Sequence, residues 1–146
     1  MELSEYFSDE KYKYSVALMF AYINICKPQK TRLKIDELRF NLEYKCWCNN
    51  IKPIDVINDI KNKKYKNEVK RIQNANIKYP IIISSNYYIL DGVHRYVKHI
   101  IDNKKYINVY IFDKRLMKKF IIGKRNEKIK LEINDYIELF YKRFIK

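Results

Sequence analysis

The sequence is poor in the residues that punctuate a chain, with two glycines and three prolines in 146 residues. So few of either exclude a collagen-like repeat and a linker-rich chain. Cysteine is scarce as well, at three. The opening residues Met1-Glu2-Leu3-Ser4-Glu5 lack the basic-then-apolar order of a secretory signal, and an odd cysteine count in such a chain argues against a disulfide framework. Cys46-Trp47-Cys48 is C-x-C rather than the C-x-x-C of a zinc knuckle. The two histidines, His94 and His99, are five residues apart and so lie ~140° apart around a helix. No zinc site assembles from these pieces. Long apolar runs are missing too; the stretches 16–21 and 79–83 fall far short of the ~18 residues of a membrane span.

Acidic residues are outnumbered, 17 Asp+Glu against 31 Lys+Arg, for a formal charge of +14. Clustered cations attract phosphate, but composition offers a rival source for the excess. Lys (24), Ile (23) and Asn (14) have A/T-rich codons, and only 7 of the 31 cations are Arg, the better residue for two-point phosphate contact. Clusters therefore weigh more than the total. One gathers Lys61, Lys63, Lys64, Lys66, Lys70 and Arg71 with one acid, Glu68. Another gathers Lys114, Arg115, Lys118, Lys119, Lys124 and Arg125. Either reads as a solvated face or as a nucleic-acid surface. With 47% hydrophobic and 33% charged residues, the chain has enough apolar content for a core. The expectation is one soluble, cytoplasmic domain over 1–146.

Periodicity predicts a mixed α+β fold. Ser8-Asp9-Glu10 has the chemistry of a helix start, and Val16, Met19, Phe20 and Ile23 recur at helical spacing, so a helix is expected over 8–27, ending before Pro28. Arg32-Leu33-Lys34-Ile35 alternates as a strand. Pro53 suits the first turn of a helix, and another helix is expected over 67–74; the residues 41–50 have no clear pattern. Pro80-Ile81-Ile82-Ile83 and Tyr87-Tyr88-Ile89-Leu90 read as strands flanking a polar turn. Val93, Tyr96, Val97, Ile100 and Ile101 form one helical stripe. Asn108–Phe112 is a further strand, Gly123 closes the segment 117–122, and Asn134-Asp135 caps a final helix over 134–145.

Chemistry concentrates at Asp91-Gly92-Val93-His94-Arg95, where a strand runs directly into a helix. A helix start carries positive partial charge and free amides, a ready site for an anion. Gly92 gives the backbone room, Arg95 offers a planar fork for phosphate oxygens, and His94 offers an imidazole, able to donate to a phosphate or to act as acid or base. Asp91 would hold Mg²⁺ beside a phosphate or take a proton from an attacking hydroxyl. Taken singly, Asp91 is also a good helix cap and Gly92 a good turn residue. The convergence of four such residues in a chain so short of Gly and His favours a site.

These residues resemble the D-G-x-H-R motif of the ParB/sulfiredoxin-like superfamily. Arg32-Leu33-Lys34-Ile35-Asp36-Glu37-Leu38 is similar to the superfamily's first strand and its exit, and Pro53-Ile54-Asp55-Val56 and Arg71-Ile72 fit its spacing. The likeness covers 31–122, with a helix added at each end. It implies a small mixed sheet with a strand–motif–helix core and a phosphate site at Gly92, Val93, His94 and Arg95, with Arg71 as a second contact. It further implies catalytic Asp91, His94 and Glu37, the last following the first strand as in nucleotide-dependent kinases of this fold, and Mg²⁺ with ATP or CTP as cofactors. A sulfiredoxin is excluded, since Val93 stands where its motif needs Cys. The expected activity is phosphotransfer or phosphate hydrolysis. The alternatives are a DNA- or RNA-binding, nuclease-like module using Lys61, Lys63, Lys64, Lys66, Lys118 and Lys119, and a non-catalytic scaffold.

Overall fold

The computed structural model describes Leu3 and residues 5–145. In chain order the elements are β1 (Tyr6–Ser8), β2 (Tyr12–Ser15), α1 (Val16–Cys26), β3 (Thr31–Lys34), a long 3-10 helix (Ile35–Glu43), α2 (Pro53–Asn58), α3 (Lys66–Asn74), β4 (Ile81–Ser84), β5 (Ile89–Asp91), α4 (Val93–Ile101), β6 (Tyr106–Phe112), α5 (Lys114–Met117), β7 (Ile121–Lys124) and α6 (Ile133–Phe140), prolonged by a π turn (Tyr141–Ile145). The class is α+β. The chain divides into two compact units, residues 30–111 and the two ends, 1–29 with 112–146.

In the unit of 30–111 the strand order is β3-β6-β4-β5. Strands β3 and β6 pair antiparallel, with Leu33 opposite Ile107. In the β4–β5 pair Ile82 faces Asp91 while Ile83 faces Ile89. Leu90 is thus the extra residue of a bulge immediately before Asp91, a device that re-aims the residues that follow. Ile81, Ile83, Tyr96, Val97, Val109 and Leu38 are almost wholly buried, each worth about 2 kcal/mol of transfer free energy. The α4 stripe is as expected except that Ile101 lies exposed. Tyr96, at the middle of α4, donates its hydroxyl to the Ile35 carbonyl at 2.6 Å. Asn41, in the stretch without pattern, donates to the Leu38 and Tyr87 carbonyls and accepts from the Ile89 amide at 2.9 Å. This buried amide ties the 3-10 helix to the strand that leads into the motif.

The unit of the two ends corrects three expectations. The helix expected from residue 8 begins only at Val16, where Ser15 Oγ accepts from the Leu18 amide at 3.1 Å. Asp9 instead builds the β1–β2 turn, its Oδ1 accepting the Lys11 and Tyr12 amides at 2.8 and 2.7 Å; short polar side chains serve such turns as readily as helix caps. Gly123 ends no segment but lies within β7, opposite Lys13 of β2. The last helix is capped by Glu132, with Asp135 reaching back to the Glu132 amide at 2.8 Å. Phe112, Phe120, Phe140 and Met19 form the buried interior of this unit, with Tyr22 edge-on to Phe112 at 5.6 Å between ring centroids.

Candidate functional site

The motif occupies the end of β5 and the first turn of α4. Gly92 stands at the cap position with φ +108° and ψ 27°, a left-handed conformation that a side chain tolerates poorly. A Cβ there would lie 2.6 Å from Ile81 Cγ2 and 3.0 Å from Ile81 Cβ. The glycine is thus demanded by the fold itself, and the side on which a Cβ would project is filled by Ile81. Asp91 is not the cap residue; it is the last residue of β5, paired with Ile82. Glycine at the cap has no side chain to offer the first-turn amides.

His94, in that first turn, is gripped on two sides. Its Nε2 lies 2.6 Å from Glu68 Oε2, and its ring stacks on Trp47 with centroids 4.5 Å apart and planes 11° from parallel. Glu68 is 5% exposed. A carboxylate that deep is costly unless paired, and His94 supplies the pair. Glu68, read from the sequence as the single acid in a basic run, is therefore part of the site. Its signal was positional: Tyr65, Glu68, Val69 and Ile72 share one helical stripe, so the acid sits on the apolar face of α3. Trp47, the chain's one tryptophan, is buried, and its Nε1 has no hydrogen-bond partner. Beside it, burial pushes the Cys46 thiol up to about 11, with the Glu68 charge adding to the shift.

Arg95 turns back toward the strand. Its Nη1 donates to the Pro80 carbonyl at 3.0 Å and its guanidinium carbon lies 6.0 Å above the Tyr79 ring. The same Nη1 is 3.2 Å from the place a Gly92 Cβ would occupy, so the cation rests against the helix start. Arg95 Nε is buried without a hydrogen-bond partner. A cation at the positive end of a helix reverses the usual charge preference. One turn on, His99 Nδ1 bonds the Arg95 carbonyl at 2.8 Å. Among the described residues, Trp47 Nε1 and Arg95 Nε are the buried side-chain polar atoms left without a partner, and both belong to residues in, or packed against, this turn. Unpartnered buried donors are uncommon in native folds.

The structure does not gather every residue singled out from the sequence. Glu37 is exposed and accepts from the Lys34 amide at 2.9 Å at the start of the 3-10 helix. Arg71 is an exposed residue in the last turn of α3. Lys61, Lys63, Lys66 and Lys70 line one open groove of about 610 Å³ with Ile60 and Val69, and Lys64 lies over the Tyr65 ring at 5.3 Å. Lys118 and Lys119 belong to the unit of the chain ends, where Lys119 lies 5.3 Å over Phe144. No group of three or more His, Cys, Asp or Glu side chains among the described residues is arranged to hold a metal ion, and none of their helices is long and apolar enough to cross a membrane. Compared with known protein families, curated proteins and solved structures, the chain matches none.

Proposed function

We propose that the first turn of α4 binds the phosphates of a nucleoside triphosphate and that the protein is a phosphotransferase or phosphohydrolase of the ParB/sulfiredoxin-like kind. The observation that carries this reading is the pairing of buried Glu68 with His94, which shares its helical turn with Arg95. A carboxylate orienting a histidine is the arrangement of an acid–base catalyst, and a guanidinium with a helix start is the arrangement of a phosphate clamp. The phosphate oxygens take the first-turn amides and the Arg95 fork. Because Nε2 of His94 is held by Glu68, Nδ1 is the nitrogen that moves a proton to or from the substrate. Bound Mg²⁺ would supply neutralisation of phosphate charge. Asp91 fits that ion only as Mg²⁺ is usually carried, by one carboxylate with phosphate and water completing the shell. Glu37, held on the Lys34 amide, has no part in this scheme.

Thermal denaturation with ATP, CTP and GTP, with and without Mg²⁺, tests the proposal. Ligand at ~100 times its Kd adds about 2.7 kcal/mol, which raises the melting temperature by several degrees. Arg95→Ala also loses the bond to Pro80, so its ligand-induced rise is read against its own unliganded melt. That rise is expected to vanish, and an undiminished rise would place the phosphate elsewhere.

A second reading rests on the lysine groove of 61–70, whose lining contains no carboxylate. It suits a phosphodiester backbone. In that case DNA affinity falls steeply with salt, and charge reversal at Lys63 and Lys66 weakens it more than Arg95→Ala does.

A further inference from the structure

Helix α6 buries Tyr136 and Phe140 within its own unit. Along another side, Ile133, Ile137, Tyr141 and Ile145 follow at every fourth residue through α6 and the π turn. Each is more than half exposed, between 52% and 59%. A row at spacing four is one continuous ridge of the kind that packs into the groove of another helix, ~18 Å long at 1.5 Å per residue. Four large apolar side chains in a contiguous exposed row mark a contact surface.

Charge says what covers it. The chain as a whole carries +14, a surface that repels a second copy. The stretch 132–145 departs from that excess, with Glu132, Asp135 and Glu138 against Lys142 and Arg143. The acids come first and the cations last. Arg143 is already used, donating to the Lys119 and Ile121 carbonyls at 3.0 and 2.6 Å. Glu138 and Lys142 remain in the exposed row beside the ridge. An antiparallel copy would set Glu138 of one chain against Lys142 of the other, twice over, while Ile137 of one meets Tyr141 of the other. That is the self-complementarity a two-fold interface needs. We propose that this face of α6 is the contact of a homodimer formed by two copies of this chain.

Sedimentation velocity over a wide concentration series tests it, with each variant's melting curve confirming its fold. The wild-type chain is expected to pass from monomer to dimer, and Ile137→Asp to stay monomeric throughout. Glu138→Lys puts like charges together and is expected to raise the dissociation constant about tenfold. Adding Lys142→Glu to that variant restores opposite signs and is expected to return it to within about threefold of wild type. A monomer at every concentration, a dimer indifferent to Ile137→Asp, or a double reversal that restores nothing would each overturn the proposal. So would a monomer that sediments with lipid vesicles and loses that property in Ile137→Asp.

Discussion

The chain's two glycines lie in different units and teach opposite lessons. Gly92 adopts a left-handed φ of +108°, and a Cβ there would run into Ile81 at the branch point of its side chain. Gly123 lies in β7 with ordinary backbone geometry, and a Cβ there would meet the tip of the Ile129 side chain. The first turn is over-determined by its surroundings, with the Leu90 bulge before it, Ile81 beneath it, and Arg95 and His94 held by Pro80 and Glu68. The second is an edge with slack. A turn fixed by so many partners leaves little freedom to relax, whereas an edge with slack can absorb a change.

The largest expected effect breaks the first of these. Gly92→Ala forces a side chain into an unfavourable φ and into Ile81 together. Each fault alone costs on the order of 1–3 kcal/mol, so the variant is expected to lose about 3 kcal/mol or more in urea denaturation. A loss below about 1 kcal/mol would mean that the turn relaxes freely, and the argument for a preorganised site would go with it.

Next in size is Glu68. Glu68→Ala leaves His94 Nε2 facing an emptied pocket and is expected to cost about 2 kcal/mol. Glu68→Gln keeps the volume and an acceptor oxygen for an Nε2-protonated histidine, so it is expected to recover most of that loss. The pair sharpens the comparison because the two variants separate packing from proton handling. If the site is catalytic, Glu68→Gln folds well yet lowers kcat more than it raises KM. If the pair is purely structural, nucleotide turnover follows stability alone.

What the sequence disclosed follows from physics of short range. Turn and helix chemistry around Asp91-Gly92-Val93-His94-Arg95 is local, and so are the strand patterns of Leu33 and Ile81–Ile83. The sites that escaped are those made by distant residues. Glu68 and Trp47 become partners of His94 only when α3 and the 47–51 bridge come to α4, and sequence spacing carries no trace of that meeting. Asp9 was misread for another reason. A short carboxylate caps a helix and builds a hairpin turn with the same atoms, and the choice falls to β7, which pairs with β2 from more than a hundred residues away.

Gly123→Ala is the mild arm. Alanine at an ordinary strand φ removes freedom from the unfolded chain, which favours folding by about 0.4–1 kcal/mol. The contact with the half-buried Ile129 opposes it, chiefly at the δ-methyl and less at Cγ1, 3.3 Å away, and a rotamer change of that flexible end relieves it. The two terms nearly cancel, so the melting temperature is expected to move by less than about 2 °C. If this variant instead falls as far as Gly92→Ala, Ile129 is fixed as firmly as Ile81. The β2–β7 edge then has the same over-determination as the motif turn, and tight local packing ceases to distinguish a functional turn from a structural one.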